Sequence, residues 1–283
     1  MTVGTLYIVA TPIGNLGDLS SRARDTLAAV DLVAAEDTRH TGQLLSHFGI
    51  TTRQLSLHDH NERQVVPQLL AKLRAGQSIA LVSDAGTPLI SDPGYQLVSQ
   101  ARSSGITVSP VPGPSALVAA LSAAGLATDR FCFEGFLPAK RPARRERIAA
   151  FAFDNRTVVL YESVHRVGDC LADLAEMLGD DRPAFIGREI SKQHEQCVAA
   201  DLRTLKQMLD DGRVPAKGEF VIVVAGAPVV EEKAGDAELR RVLQLLMAAV
   251  PGKKAASLAA DILKRRPNDA YRMMLAIRDE SPG

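Results

Sequence analysis

Short apolar runs of β type alternate with segments of helical apolar spacing in the first part of the chain. The alternation predicts parallel βαβ units, with Gly76 and Gly105 as natural helix ends and with Asp18 and Asn61 as plausible N-caps. The predicted strands are residues 6–10, 31–35, 79–83 and 106–111. The predicted helices are residues 18–30, 38–48, 61–74, 94–103 and 115–124.

A second set of elements follows a linker at residues 125–130. Its predicted strands are 131–136, 157–161, 184–188, 196–199 and 220–225, and its predicted helices are 144–153, 164–178 and 202–209. From residue 236 only helical patterns occur, at 239–249, 254–264 and 268–277. We therefore expect an α/β fold with two α/β domains, residues 1–126 and 127–228, and a helical C-terminal segment, residues 229–283.

Composition indicates a globular protein but does not identify a binding partner. Hydrophobic residues make up 46% of the 283 residues and charged residues 23%, which is globular composition. Lys plus Arg equals Asp plus Glu, 33 of each, so any attraction to phosphate must be local. The three cysteines are far apart in sequence, and no signal-peptide or membrane-span pattern occurs, so we expect a protein of the reducing cytoplasm.

Three glycine- and proline-containing loops follow predicted strands of the first domain: TPIGN at 11–15, SDAGTP at 83–88 and VPGPS at 111–115. The carboxyl edge of a parallel sheet is where ligands bind, and such loops let the backbone approach a cofactor closely. A single loop of this kind is more readily explained as a tight turn, but three together favour a cofactor site. Neither GxGxxG nor GxxxxGK[ST] occurs, which favours a cofactor without a phosphate chain.

Two polar loops offer other chemistry. The loop EDTRHT at 36–41 could supply a general base or a substrate clamp, or simply cap a helix through Asp37 or Thr38 with an ion pair to Arg39. The run His58-Asp59-His60 could suggest metal, but no further ligands stand at recognisable spacing, so we predict no metal site.

In the second domain, YES at 161–163 and RE at 188–189 end predicted strands, as cap residues or as ligand contacts in a cleft between the domains. The stretch KRPARRER at 140–147 carries five positive residues and one negative, a local charge of +4. We predict that it contacts RNA phosphates, with a solvated helix start as the alternative. The last two predicted helices form either a helix-turn-helix-like contact with RNA or with another subunit, or plain packing helices.

Several longer stretches resemble the tetrapyrrole methylase superfamily, and within it the branch that acts on 16S ribosomal RNA. They include LYIVATPIGNLGDLS from Leu6, AAEDTRHTGQLL from Ala34, ALVSDAGTPLISDPGY from Ala80, VPGPSALVAALSAAGL from Val111 and KGEFVIVVAG from Lys217. The resemblance covers nearly the whole chain and weakens in the last segment. Where tetrapyrrole-methylating relatives carry a GxGPGD-like first loop, this chain has TPIGN, which favours the RNA branch.

The resemblance implies an S-adenosylmethionine-dependent methyltransferase that methylates the 2′-hydroxyl of a decoding-centre cytidine in 16S rRNA. The RNA partner is either naked rRNA or the assembled small subunit, and a homodimer is expected. The alternative functions are a small-molecule (tetrapyrrole) methylase and a non-enzymatic nucleoside-binding module. The implied cofactor-binding residues are Pro12, Ser83, Asp84, Ala85, Gly86, Thr87, Pro88, Ser115, Ala116, Tyr161, Glu162 and Gly218. The catalytic candidates, among which the sequence selects no base, are Glu36, Asp37, Arg39 and His58, with Asp84 beside them.

Overall fold

The computed structural model describes residues 3–228 and 236–280, with side chains described up to Arg278. The chain divides after residue 227 into two compact units. The start of the expected helical segment, residues 229–235, lies outside the described residues, as do residues 1–2 and 281–283.

An all-parallel five-stranded sheet forms the amino-terminal half of the larger unit. Its strands are β1 (Thr5–Val9), β2 (Leu32–Ala35), β3 (Gln54–Ser56), β4 (Ile79–Val82) and β5 (Thr107–Val111), in the order β3-β2-β4-β1-β5. Its helices are α1 (Ser21–Ala29), α2 (Thr38–His47), α3 (Glu62–Arg74), α4 (Tyr95–Ser103) and α5 (Ala116–Ala123). Because β4, β1 and β5 are neighbours, the three glycine- and proline-containing loops leave the sheet side by side.

A mixed five-stranded sheet forms the second half of the larger unit. Its strands are β6 (Phe131–Phe136), β7 (Thr157–Ser163), β8 (Pro183–Arg188), β9 (Gln196–Asp201) and β10 (Glu219–Val224), in the order β6-β7-β10-β8-β9. Only the β6–β7 pair is parallel; the other three pairs are antiparallel. Its helices are α6 (Arg141–Phe151), α7 (Val167–Leu178) and α8 (Leu202–Asp210).

Helix α5 joins the two halves. Its buried side chains Leu117, Ala120 and Leu121 pack in one cluster with Val159 of β7 and Phe185 of β8. Burial of this apolar helix against the second sheet stabilises the arrangement of the two sheets, since transfer of apolar surface out of water is favourable. The start of α5, directly after the 111–115 loop, is thereby held close to β7.

The predicted fold class is confirmed, but several details of the prediction are wrong. Asp18 lies in a 3₁₀ turn, and Ser20 caps α1 by accepting the Ala23 N–H at 3.1 Å. Asn61 precedes α3 but makes no capping hydrogen bond; its Oδ1 accepts the His58 N–H at 2.9 Å. Helix α6 begins at Arg141, three residues earlier than expected, because a proline fits the first turn of a helix.

The smaller unit is helical, as predicted. It contains α9 (Asp236–Met247), α10 (Gly252–Ile262) and α11 (Pro267–Glu280). Leu243, Ala259, Ala270 and Met274 belong to its buried core. Across the described residues of the whole chain, no helix combines the length and apolar character needed to cross a bilayer.

Candidate functional site

A cavity of about 350 Å³ lies where the loops after β4 and β5 face the second sheet. Its volume falls in the range of small-molecule sites. Its walls come from both halves of the larger unit and are largely apolar, with a few polar groups. They include Ile13, Ala85, Gly86, Thr87, Ile90, Asp92, Ser115 and Ala116 from the first half, and Phe136, Tyr161, Glu162, Ile190, Glu219 and Phe220 from the second.

Two of the three loops are locked together beside this cavity. The Thr11 N–H donates to the Gly86 carbonyl at 2.9 Å, and the Gly86 N–H donates to the Thr11 carbonyl at 3.1 Å. Gly86 has φ +81°, a conformation that L residues adopt only with strain, and a Cβ there would lie 3.3 Å from Ile13 Cγ2. Glycine at this position keeps the first and second loops in close contact along the cavity wall.

Tyr161 fixes the start of α5 from the opposite wall. The Leu117 N–H donates to the Tyr161 hydroxyl at 3.1 Å, next to Ser115 and Ala116. The rings of Phe133 and Phe136 lie 4.8 Å and 5.7 Å from the Tyr161 ring, both edge-on. Burial raises the pKa of Tyr161, so its hydroxyl stays neutral at physiological pH.

The cavity collects most, but not all, of the cofactor residues expected from sequence. Those that line it are Ala85, Gly86, Thr87, Ser115, Ala116, Tyr161 and Glu162. Five others do not: Pro12, Ser83 and Pro88 are buried within the loops, Asp84 is partly buried, and Gly218 is exposed just before β10. A Cβ at Gly218 would lie 2.3 Å from the Glu189 carboxyl, so this glycine allows a close approach to that side chain.

The acidic candidates cluster beside the cavity and do not line it. The Asp84 N–H donates to Glu36 Oε2 at 3.3 Å, and the Asp37 N–H donates to Asp84 Oδ1 at 3.0 Å. These bonds clasp the loop after β2 to the loop after β4. Burial, aided by repulsion from Asp84, raises the pKa of Glu36.

Asp37 and Arg39 adopt the helix-capping arrangement that the sequence left open. Asp37 Oδ1 accepts the Arg39 N–H at 2.8 Å at the start of α2, and its other oxygen lies 2.7 Å from the Arg39 guanidinium. Hydrogen bonds from Arg39 hold the pKa of Asp37 well below its usual range. The Arg39 side chain is 90% exposed, so the pair faces solvent.

His58 follows β3, which places it at the same sheet edge as the other candidates. The strand escaped prediction because its three residues are only partly buried and give no apolar pattern. The His58 Nδ1 atom is buried, and it has no hydrogen-bond partner among the described residues. Within the described residues no group of three or more His, Cys, Asp or Glu side chains could hold a metal ion, and metal independence stays a prediction.

Asp92 is one of the cavity residues that the sequence pattern did not single out, together with Phe136 and Glu219. It lies just beyond the 83–88 loop, in a segment where Leu89 and Ser91 have φ values of 73° and 69°. Burial raises the pKa of Asp92 to about 6, with repulsion from Glu36 and Asp84 adding to it. The available signal was the SDPG turn sequence, since a loop that extends past Pro88 carries further groups to the same edge.

The basic stretch at 140–147 is not a patch of free positive charge. Asp173 of α7 lies 2.9 Å from the Arg141 guanidinium and 2.7 Å from that of Arg144, and Glu176 lies 2.5 Å from that of Arg145. Arg147 pairs with Glu134 of β6. Three carboxylates from elsewhere in the chain, Asp173, Glu176 and Glu134, therefore compensate three of the four net positive charges of the stretch, and its contact with RNA stays a prediction.

Comparisons with known proteins agree with this architecture. The family described as Tetrapyrrole (Corrin/Porphyrin) Methylases matches residues 5–206, and the RsmI C-terminal HTH domain matches residues 233–278. A protein of Escherichia coli O157:H7 named Ribosomal RNA small subunit methyltransferase I is 52% identical over 272 residues, covering 96% of this chain and 95% of that protein. A protein of the same name from Xylella fastidiosa (strain Temecula1) is 53% identical over 261 residues, covering 92% of this chain and 95% of that protein.

Among solved structures, uroporphyrin-III C-methyl transferase from Thermus thermophilus, complexed with S-adenyl homocysteine, has the same fold. The TM-score is 0.56 with 19% identity, and the match covers 78% of this chain and 97% of that chain. At this level of identity the match shows the fold but does not identify the substrate.

Proposed function

This chain belongs to the tetrapyrrole (corrin/porphyrin) methylase family, and on that premise we propose that it methylates the ribose 2′-hydroxyl of a cytidine in the decoding centre of 16S rRNA, with S-adenosylmethionine as donor. One observation carries the substrate class: relatives about half identical over nearly their full length are named methyltransferases of the small ribosomal subunit RNA. The atom and the nucleotide are the finer part of the proposal and rest on the sequence resemblance.

The cavity suits S-adenosylmethionine in size and in chemistry. Its apolar walls match the adenine ring and the methylene groups on either side of the sulfonium, and the cofactor needs no cradle for a phosphate chain. Backbone groups of Ala85, Gly86 and Thr87 would hold it on one side, with Tyr161 and Glu162 on the other. The bound cofactor supplies a methyl group that its sulfonium already activates.

The protein's own contribution is alignment and proton removal. Locked loops hold the donor side in a fixed position, and positioning of this kind can supply roughly 7 to 11 kcal/mol of the barrier. A general base that accepts the hydroxyl proton contributes roughly 10²- to 10⁴-fold.

An exposed aromatic ring at the cavity supports a nucleic-acid substrate. Phe136 lines the cavity and is 54% exposed, although a ring of that size is usually covered. Aromatic side chains stack on unpaired bases in RNA recognition. The substrate we propose is rRNA, naked or within the assembled subunit, and the active form we propose is a homodimer.

Methylation of a tetrapyrrole is the alternative that the shared fold supports. The test incubates the protein with labelled S-adenosylmethionine in two parallel reactions. One contains small subunits from a strain lacking this enzyme, and the other contains a porphyrin precursor. We expect label in the subunit RNA alone. Label in the porphyrin with none in RNA would assign the tetrapyrrole activity instead.

A further inference from the structure

We propose that the C-terminal helical unit holds the rRNA substrate by its phosphate backbone, through a basic strip formed by Lys253, Lys254, Lys264 and Arg266. The inference rests on the rRNA substrate proposed above and adds the surface that holds it. None of the four residues belongs to the cavity, so the strip is separate from the site of methyl transfer.

Charge is divided unequally along a chain that is neutral overall. Residues 3–228 contain 23 basic and 25 acidic residues, a net charge of −2. Residues 236–280 contain nine basic and six acidic residues, a net charge of +3. Because an excess of positive charge on a compact unit attracts a polyanion, the C-terminal unit is where net charge favours RNA.

The four side chains of the basic strip are exposed, and none of them forms an ion pair within residues 236–278. Nearby acids are paired with other arginines: Asp236 pairs with Arg265, and Asp269 pairs with Arg272. Asp261, exposed on α10, is an opposing charge that lies between the two halves of the strip in sequence. The strip therefore keeps an excess of positive charge that the unit itself does not neutralise.

Three of these residues stand where the local backbone favours other residue types. Lys253 and Lys254 lie in the first turn of α10, where the helix dipole favours acidic side chains. Lys264 follows the end of α10 with φ +51°, and the Arg265 N–H donates to the Ala260 carbonyl at 2.9 Å. This is the Schellman arrangement, in which glycine usually takes the left-handed position. Local costs of this kind are typical of functional sites.

The strip suits an extended backbone better than a single anion. Its halves lie at the start of α10 and in the four-residue turn 263–266 before α11, roughly 15 Å apart at the helical rise per residue. A helix-turn-helix can read bases from the major groove of DNA, but in RNA helices that groove is too deep and narrow. We therefore expect phosphate contacts without sequence selection. Tyr271 of α11, 40% exposed, adds a ring on which an unpaired base can stack.

A protein partner is the competing occupant of this unit. Leu245, Leu258 and Ile262 are 65%, 36% and 60% exposed. Three apolar side chains supply only a small part of the roughly 800 Å² that each partner buries in a stable protein interface. Single exposed apolar residues are common on protein surfaces, whereas the charge of the basic strip is complementary to RNA. RNA is therefore the partner that the described residues favour.

The test measures binding of the full-length protein to a 16S rRNA transcript at several salt concentrations. The variant combines Lys253→Gln, Lys254→Gln and Lys264→Gln. The control combines three exposed arginines that are already paired with carboxylates, namely Arg24→Gln, Arg203→Gln and Arg213→Gln.

Each lost phosphate contact reduces the slope of log affinity against log salt by roughly 0.7, so the triple lysine variant should lose about two from the slope and bind about tenfold or more weakly. The same loss is expected with an unrelated RNA of equal length, because the contacts are to the backbone. The arginine control should bind as the wild type does.

Methylation kinetics distinguish substrate holding from chemistry. In the triple lysine variant the KM for hypomethylated small subunits should rise by about tenfold or more, while kcat and the S-adenosylmethionine Kd stay within about twofold of the wild type. Asp261→Asn removes the opposing charge, so it should bind RNA more tightly than the wild type and lower this KM.

An unchanged salt slope in a folded triple lysine variant would overturn the inference. So would a Leu258→Ser/Ile262→Ser variant that loses subunit methylation while the triple lysine variant keeps it, since the unit would then dock on protein. An active wild type with an equally active triple lysine variant would overturn the basic strip alone. A wild type that binds RNA through the strip but methylates no subunit would overturn the proposed function.

Discussion

Asp37, Asp92 and Asp173 carry the same carboxyl group in three different surroundings. Asp37 faces solvent and caps a helix, and Asp92 lines a cavity among other acids. Asp173 is 1% exposed; burial alone would raise its pKa, but hydrogen bonds from Arg141 and Arg144 outweigh that effect and lower it. The sequence could place Asp37 at a helix start from local pattern, but the partners of Asp173 lie about thirty residues away, beyond the reach of any local pattern.

The buried pair Arg144–Asp173 should matter for stability more than for RNA binding. Arg144 is 3% exposed and Asp173 is buried beside it. Because Arg144→Ala removes a buried partner of the Asp173 carboxylate, we expect the free energy of unfolding to fall by about 3 to 5 kcal/mol. Denaturant titration measures the change. Arg213→Ala, which breaks an exposed pair with Asp211, is the control and should leave stability nearly unchanged. If Arg144→Ala is as stable as the control, the pair has no structural role.

At the scale of elements, the sequence predicted strands best where burial is most complete. All four residues of β4 are buried, and its apolar run was recognisable, whereas β3 is short and only partly buried. The ligand loops were predictable because glycine and proline mark sharp turns after buried strands. Which of their residues face the cavity was not predictable, since Pro12 and Ala85 stand at similar places in two loops and only Ala85 lines it.

The loop after β4 should tolerate no side chain at Gly86 without loss of cofactor binding. Gly86 and Gly49 both have left-handed φ values, +81° and +67°, but a Cβ has open space only at Gly49. Gly86→Ala and Gly49→Ala should therefore pay similar backbone strain, roughly 1 to 2 kcal/mol. Only Gly86→Ala should weaken S-adenosylmethionine binding in calorimetry, by about tenfold or more, which is about 1.4 kcal/mol. Equal affinities in the two folded variants would remove this loop from the cofactor site.

The aromatic end of β6 should contribute to RNA binding. Phe136 lines the cavity, and Phe153, which is 94% exposed and outside it, provides a matched control. If a base stacks on Phe136, Phe136→Ala should weaken RNA binding by about 1 to 3 kcal/mol. Phe153→Ala should bind as the wild type does. Identical RNA affinities for the two variants in a filter-binding titration would exclude stacking at this ring.

For the whole molecule, composition was the least informative level. Equal numbers of acidic and basic residues gave no hint of an RNA partner, and the arginines of the basic stretch at 140–147 proved to be paired within the protein. The fold class, by contrast, followed from the alternation of strands and helices. The cavity forms at the carboxyl edge of the parallel sheet, where that alternation predicts ligand binding. The substrate proposal therefore rests on full-length likeness to rRNA methyltransferases and on the site.

The most direct test of the proposed function is to map the methyl group on its acceptor. Hypomethylated small subunits are incubated with the protein and S-adenosylmethionine, and the 16S rRNA is digested and analysed by mass spectrometry. We predict one new methyl group per rRNA, on the ribose oxygen of a decoding-centre cytidine. A methyl group on a base, on another nucleotide, or absent from the RNA while the protein still binds S-adenosylmethionine would contradict it.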